Sequence, residues 1–194
     1  AEDSKFYEHK GIDPTGIARA VWQIVSRKEG RVAGGSTITQ QVIKNRVVGR
    51  ERTLARKAHE ALLAAYVERK ITKERLLEIY LNEVYLGQRG AVSVVGVPAG
   101  ALHYFGRNVD DLALNQEAML AGMITSPGRF DPRRDPREAQ ARMARILARM
   151  RELGYITPME EQAAAAAPLG VAPLSDPLDP AGDVLDAARR ERVA

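Results

Sequence analysis

A chain of 194 residues with no cysteine and a formal net charge of +4 has enough length for one domain with a buried core. It is barred from thiolate metal centres, disulfide frameworks and cysteine nucleophiles. No apolar run reaches the roughly 20 residues that cross a bilayer, the opening residues lack the charged and apolar regions of a signal peptide, and so modest a net charge matters through where its basic residues cluster.

The first stretch, Glu2-Asp3-Ser4-Lys5-Phe6-Tyr7-Glu8-His9-Lys10-Gly11, gathers acids, a histidine, two aromatics and a glycine. Taken alone it would pass for an exposed acidic turn anchored by Phe6 and Tyr7. It begins abruptly, without a lead-in helix or strand, so a preceding segment is expected. Asp13-Pro14 then forms a helix start, with Asp as N-cap and Pro at the first helical position, and Ile17, Val21, Ile24 and Val25 follow at helical spacing up to Gly30.

Gly34-Gly35 gives backbone freedom just before Ser36-Thr37-Ile38-Thr39-Gln40-Gln41, where Ser36 can cap the next helix. Hydroxyls, amides and free backbone N–H groups at a helix N-terminus suit an anionic or sugar ligand, and they equally suit a polar first turn. Between Lys44 and Lys57 stand Lys44, Arg46, Arg50, Arg52, Arg56 and Lys57 against the single acid Glu51. Val42, Ile43, Val47, Val48 and Leu54 are interleaved with them, a mixture that fits an anionic headgroup on a lipid. Nucleic acid is disfavoured, because the run has no aromatics on which bases could stack.

A helix is expected from Leu54 to Arg69, on which Arg56, Lys57 and Glu60 share one face at i, i+3 and i+4 spacing. The next helix opens at Ile71-Thr72, buries Leu76, Leu77, Tyr80 and Leu81, and is expected to run through Tyr85 to Gly87. Val92 to Val97 reads as loop or a brief extended piece. Pro98 starts a short helix that stops near Gly106, and Asn115 can cap another that ends at Ser126-Pro127-Gly128. Asp135-Pro136 with Glu138, and Thr157-Pro158 with Glu160, each combine an N-cap, a proline and a capping acid. Four prolines between Pro168 and Pro180 read as a linker. The expected organisation is an all-α, mainly helical domain of about eight helices over residues 1–167, followed by a Pro-rich linker or the start of another region over 168–194.

These segments together resemble the peptidoglycan glycosyltransferase domain, glycosyltransferase family 51, of class A penicillin-binding proteins and monofunctional transglycosylases. Five motifs carry the resemblance in order. The first is Glu2-Asp3-x-x-Phe6-x-x-His9-x-Gly11, and the second is Gly34-Gly35-Ser36-Thr37-Ile38-Thr39-Gln40-Gln41 with Lys44-Asn45. Arg56-Lys57-x-x-Glu60 is similar to the third. The fourth comprises Lys73 to Glu78 with Tyr80-Leu81-Asn82, Tyr85 and Gly87. Gly96 to Gly106 resembles the fifth, with Gly100 where the family usually has Ala and Arg107 where it usually has Lys.

The resemblance implies a lysozyme-like lobe with a small membrane-facing jaw lobe around residues 42 to 54, and a preceding helix and membrane anchor before Ala1. It implies polymerisation of lipid II onto a nascent glycan chain carried by undecaprenyl pyrophosphate. That reaction takes place at the outer, periplasmic face of the bacterial cytoplasmic membrane, beside other cell-wall synthesis proteins. Under it, Glu2 is the general base, with Asp3, Phe6, His9 and Gly11 supporting it. Lys44, Arg52, Arg56 and Lys57 take the pyrophosphates, and Ser36, Thr37, Gln40 and Gln41 line the sugar and phosphate subsites. Glu60 is a second catalytic candidate that could orient the basic group, assist the leaving group, or help bind Mg²⁺ or another divalent cation bridging the pyrophosphate. No organic cofactor is implied.

Two other readings use some of the same residues. A lysozyme-like hydrolase or lytic transglycosylase would share the lobe and the catalytic Glu, but it has no pyrophosphate to hold. An inactive helical module docking on anionic membrane would leave the Glu2 motif without a purpose. Neither Ser-x-x-Lys nor Lys-Thr-Gly occurs, so transpeptidase chemistry is not in these residues.

Overall fold

A computed structural model of the chain describes residues 3, 5–15, 36–46 and 54–173. The expected base Glu2, the phosphate ligand Arg52, most of the helix after Asp13, Gly34-Gly35, residues 47–53 of the expected jaw and residues 174–194 lie outside the described residues. The described part is mainly helical: seven α-helices, one 3-10 turn and a two-stranded sheet. It divides into two compact units, one within residues 2–81 and the other within 82–194.

In the first unit, Asp13 Oδ1 accepts the Thr15 N–H and hydroxyl at 2.9 and 2.7 Å, the side-chain cap expected of a helix start at Pro14. Helix α1, Ile38–Arg46, packs on α2, Leu54–Val67, and α3 is Lys73–Glu83. Sequence patterning assigns the α1 cap to Ser36, but Thr37 makes it. Thr37 Oγ1 accepts the Gln40 N–H at 3.2 Å and Gln40 Oε1 accepts the Thr37 N–H at 3.0 Å, a reciprocal capping box. Phe6, Ile38, Val42, Ile43, Leu76 and Tyr80 form the apolar interior.

α3 stops at Glu83 and does not continue to Gly87. Tyr85–Arg89 is β1, paired antiparallel with β2, Val92–Val95. The physical reason is local: Gly87 (φ 142°) and Gly90 (φ 57°) occupy backbone conformations that no helix admits, and Val92, Val94 and Val95 favour a pleated strand. A Cβ on Gly87 would lie 2.5 Å from the Tyr104 hydroxyl, which donates to the Leu86 carbonyl at 2.8 Å and locks the hairpin onto α4, Val97–Phe105.

The rest of this unit packs α5, Leu114–Met123, against α6, Pro136–Glu152, and α6 against α7, Pro158–Ala166. Both Asp135 and Thr157 cap as expected, accepting the N–H of Glu138 and Glu160. Asn115 does not cap α5. Gln116 Oε1 accepts the Ala113 N–H at 3.0 Å, and the Asn115 amide donates instead to the carbonyls of Ala167 and Pro168.

Nor does the chain leave the unit at Pro168. Gln116 Nε2 donates to the Leu169 carbonyl, Arg133 donates to the Ala172 carbonyl through Nε and Nη2, and the Ala172 N–H donates to the Tyr104 carbonyl. Prolines signal a linker because they lack a donor, yet carbonyls remain available to a clamp.

Candidate active site

The opening motif folds as a tight turn, with the Glu8 N–H donating to the Lys5 carbonyl at 2.8 Å and Phe6 buried beneath it. Gly11 then lies against α2. Its φ is +87°, and a Cβ there would sit 2.6 Å from the carbonyl carbon and oxygen of Ala64, so both conformation and space require glycine. The Thr37 hydroxyl donates to the Gly11 carbonyl at 2.8 Å, fastening the motif to the start of α1. Asp3 Oδ2 accepts the Ile38 N–H at 3.1 Å, a carboxylate on the positive end of that helix, and lies 3.0 Å from His9 Nε2.

Helix α2 carries two carboxylates on its buried face, Glu60 and, just past its last residue, Glu68, with Ala64 between them at i+4 spacing. Glu60 is 1% exposed. Arg56 Nη1 donates to its Oε2 at 2.9 Å, and Lys57 Nζ donates to Oε1 and, at 2.9 Å, to the Ser36 hydroxyl. Two cations on one buried carboxylate leave a net positive charge beside the N-terminus of α1. Such a site can neutralise an anion, because the cations are held in place before it arrives.

The structure thus brings Ser36, Arg56, Lys57 and Glu60 together, and Asp3, Phe6, His9 and Gly11 together. Thr37 and Gln40 are buried; the side chain of each accepts the other's backbone N–H, and the Thr37 hydroxyl donates to the Gly11 carbonyl. Gln41 accepts a hydrogen bond from the Tyr80 hydroxyl at 3.4 Å, and Lys44 is exposed in the last turn of α1.

Sequence reasoning missed the second charged cluster, formed by Thr39, Glu68 and Lys73. The signal was available in the Glu60-Ala64-Glu68 stripe, since two carboxylates on the buried face of a helix call for buried partners.

Among the described residues, no group of three or more His, Asp or Glu side chains is arranged to hold a metal ion. Both Glu60 oxygens already accept from cations, Oε2 from Arg56 and Oε1 from Lys57, so a divalent ion there would share a carboxylate that two cations hold.

A family model described as Transglycosylase matches residues 1–151. The chain is 43% identical over 171 residues to penicillin-binding protein 1B of Haemophilus influenzae, covering 88% of this chain and 22% of that protein. It is 46% identical over 171 residues to penicillin-binding protein 1A of Aquifex aeolicus, covering 88% and 23%. With penicillin-binding protein 1B of Escherichia coli the identity is 39% over 194 residues, covering 100% and 23%. The chain therefore spans less than a quarter of the length of these relatives. A 2.6 Å crystal structure of penicillin-binding protein 1A from H. influenzae superposes with a TM-score of 0.50 at 23% identity, covering 86% of this chain and 21% of that one, a likeness of fold.

Proposed function

The chain belongs to the transglycosylase family, and from that premise we propose that it is a peptidoglycan glycosyltransferase that polymerises lipid II into β-1,4-linked glycan. The donor is the growing strand on undecaprenyl pyrophosphate, and the acceptor is the 4-hydroxyl of lipid II. In one inverting displacement the acceptor oxygen bonds to the anomeric carbon, the bond from that carbon to the pyrophosphate oxygen breaks, and the hydroxyl proton passes to Glu2 as general base. Arg56 and Lys57, with Lys44 and Arg52, hold the pyrophosphate as its negative charge grows.

The observation that carries this reading is the pair Arg56 and Lys57 set on one buried carboxylate, Glu60. A hydrolase acting on finished glycan releases no pyrophosphate and has no use for such a pair. Glu60 acts here by aiming the two cations. A divalent cation, when bound, would supply further charge neutralisation to the pyrophosphate. The reaction is placed at the outer face of the cytoplasmic membrane, where a lipid-linked substrate presents its headgroup. Among the described residues no helix is long and apolar enough to cross a membrane.

Polymerisation of purified lipid II by wild-type and Glu2→Gln protein tests the proposal. Glu2→Gln is expected to lose turnover by about 100-fold or more while keeping the wild-type circular dichroism and melting curve. Undiminished turnover by the folded variant would sink the assignment of the base. Cleavage of finished glycan without polymerisation would favour the hydrolase.

A further inference from the structure

Glu68 and Lys73 take no part in the proposed chemistry, yet both are withdrawn from solvent. Their side chains are 3% and 19% exposed, and Lys73 Nζ lies 2.7 Å from Glu68 Oε2. The other Glu68 oxygen accepts the Thr39 hydroxyl. Burying two charges costs stability unless their pairing and hydrogen bonds offset the lost hydration. What they face is His9: Lys73 Nζ is 3.5 Å from its Nδ1, Glu68 Oε1 is 4.0 Å from the same nitrogen, and the ammonium sits 4.5 Å above the Phe6 ring centre.

An ammonium has donors and no acceptor, so the ring nitrogen facing it must offer a lone pair. In the neutral ring that fixes the proton on Nε2, the nitrogen 3.0 Å from Asp3 Oδ2. The same Asp3 oxygen takes the Ile38 N–H at the start of α1. Without the ammonium, Nδ1–H could turn to Glu68. Nε2 would then present a lone pair to the Asp3 carboxylate, and the two would repel.

We infer that the Glu68–Lys73 pair is a positioning device: it locks His9 in the tautomer protonated on Nε2, which holds Asp3, the neighbour of Glu2 in the sequence, on the α1 N-terminus. The inference rests on the proposed reaction for its kinetic consequence, but the tautomer is measurable without it.

The test combines ¹⁵N NMR of the histidine side chains, of which the chain has three, with lipid II polymerisation kinetics. Lys73→Met keeps the side-chain length and removes the charge. It is expected to move His9 out of the Nε2–H form and to lower kcat on the order of 10- to 100-fold with KM within about twofold, the mark of a misplaced group rather than lost binding. Lys73→Arg, which restores a cationic donor, is expected to recover the tautomer and most of kcat. Glu68→Gln should loosen Lys73 and give a partial version of both effects, and it serves should Lys73→Met not fold.

Retention of the Nε2–H tautomer in folded Lys73→Met or Glu68→Gln would overturn the inference. So would an altered tautomer with unchanged kcat. A parallel loss of kcat, KM and melting temperature that Lys73→Arg does not rescue would show a purely structural pair. If Glu2→Gln retains polymerisation, the reading of the base fails, while the His9 signals still decide the lock.

Discussion

Within residues 2–81, the side chains sealed from solvent include Thr39, Gln40, Glu60 and Glu68; within residues 82–173, the largest sealed side chains are Tyr104, Leu86, Met119, Leu120, Met123 and Leu147. Both units bury hydrocarbon, which is non-directional and tolerant of small shifts, and residues 82–173 add neutral polar groups such as Asn115 and Gln116. The first unit differs in also burying carboxylates with cationic partners, whose geometry is specific and whose disruption is costly. Those carboxylates are attached to the opening motif and the basic pair. Their chemistry is that of orientation.

Three perturbations probe that difference. The largest effect is expected from Glu60→Ala, which leaves Arg56 and Lys57 without their shared carboxylate. Breaking a buried ion pair in this way should cost about 3 kcal/mol in denaturant unfolding and abolish polymerisation, whereas an apolar truncation in the other unit would lower stability alone. Equal losses of stability without loss of activity would erase the contrast. Gly11→Ala comes next. Its Cβ meets the α2 backbone at a positive φ, so a loss of about 2–4 kcal/mol is expected, with activity falling even where the protein stays folded.

The smallest effect is expected in the second unit. His103 is held neutral: burial, and then the Arg133 guanidinium that donates to its Nε2 at 2.9 Å, push its pKa down from 6.5 to about 4. Because the folded value is depressed, the unfolded chain binds the extra proton first as pH falls. The stability it contributes is full above about pH 6.5 and is lost as pH drops towards 4. The melting temperature should decline by a few degrees over that window, and His103→Gln should flatten the decline.

The two units also differ in how legible they are from sequence. Helix starts at Asp135-Pro136 and Thr157-Pro158 can be read directly, because a cap, a proline and an acid act within one turn. The third motif is legible too, since i, i+3 and i+4 spacing places Arg56, Lys57 and Glu60 on one face without reference to the rest of the chain. By contrast, the hairpin at Tyr85–Arg89 was hidden because Leu81 to Tyr85 continues a helical apolar stripe, and only the later glycines break it. Ser36 and Thr37 are equally good caps by composition. The choice between them falls to Gln40, three residues after Thr37, and to Lys57, which claims the Ser36 hydroxyl. The contacts of Glu68 with Thr39 and of Lys73 with His9 were not legible because they span 29 and 64 residues, and periodicity carries no information at that range.

The clamp on residues 167–172 has a consequence for how freely that stretch can change. Every bond from Asn115, Gln116 and Arg133 to it ends on a main-chain carbonyl, and the bonds it returns leave from the main-chain N–H groups of Ala167 and Ala172. A grip on the main chain is indifferent to which side chains pass through it. Side-chain substitutions at Pro168, Leu169 and Val171 should therefore cost little, whereas Gly170 is held to glycine by its φ of 62° and proline is barred at Ala167 and Ala172, whose N–H groups are bonded: the anchor is written largely in the body of the unit.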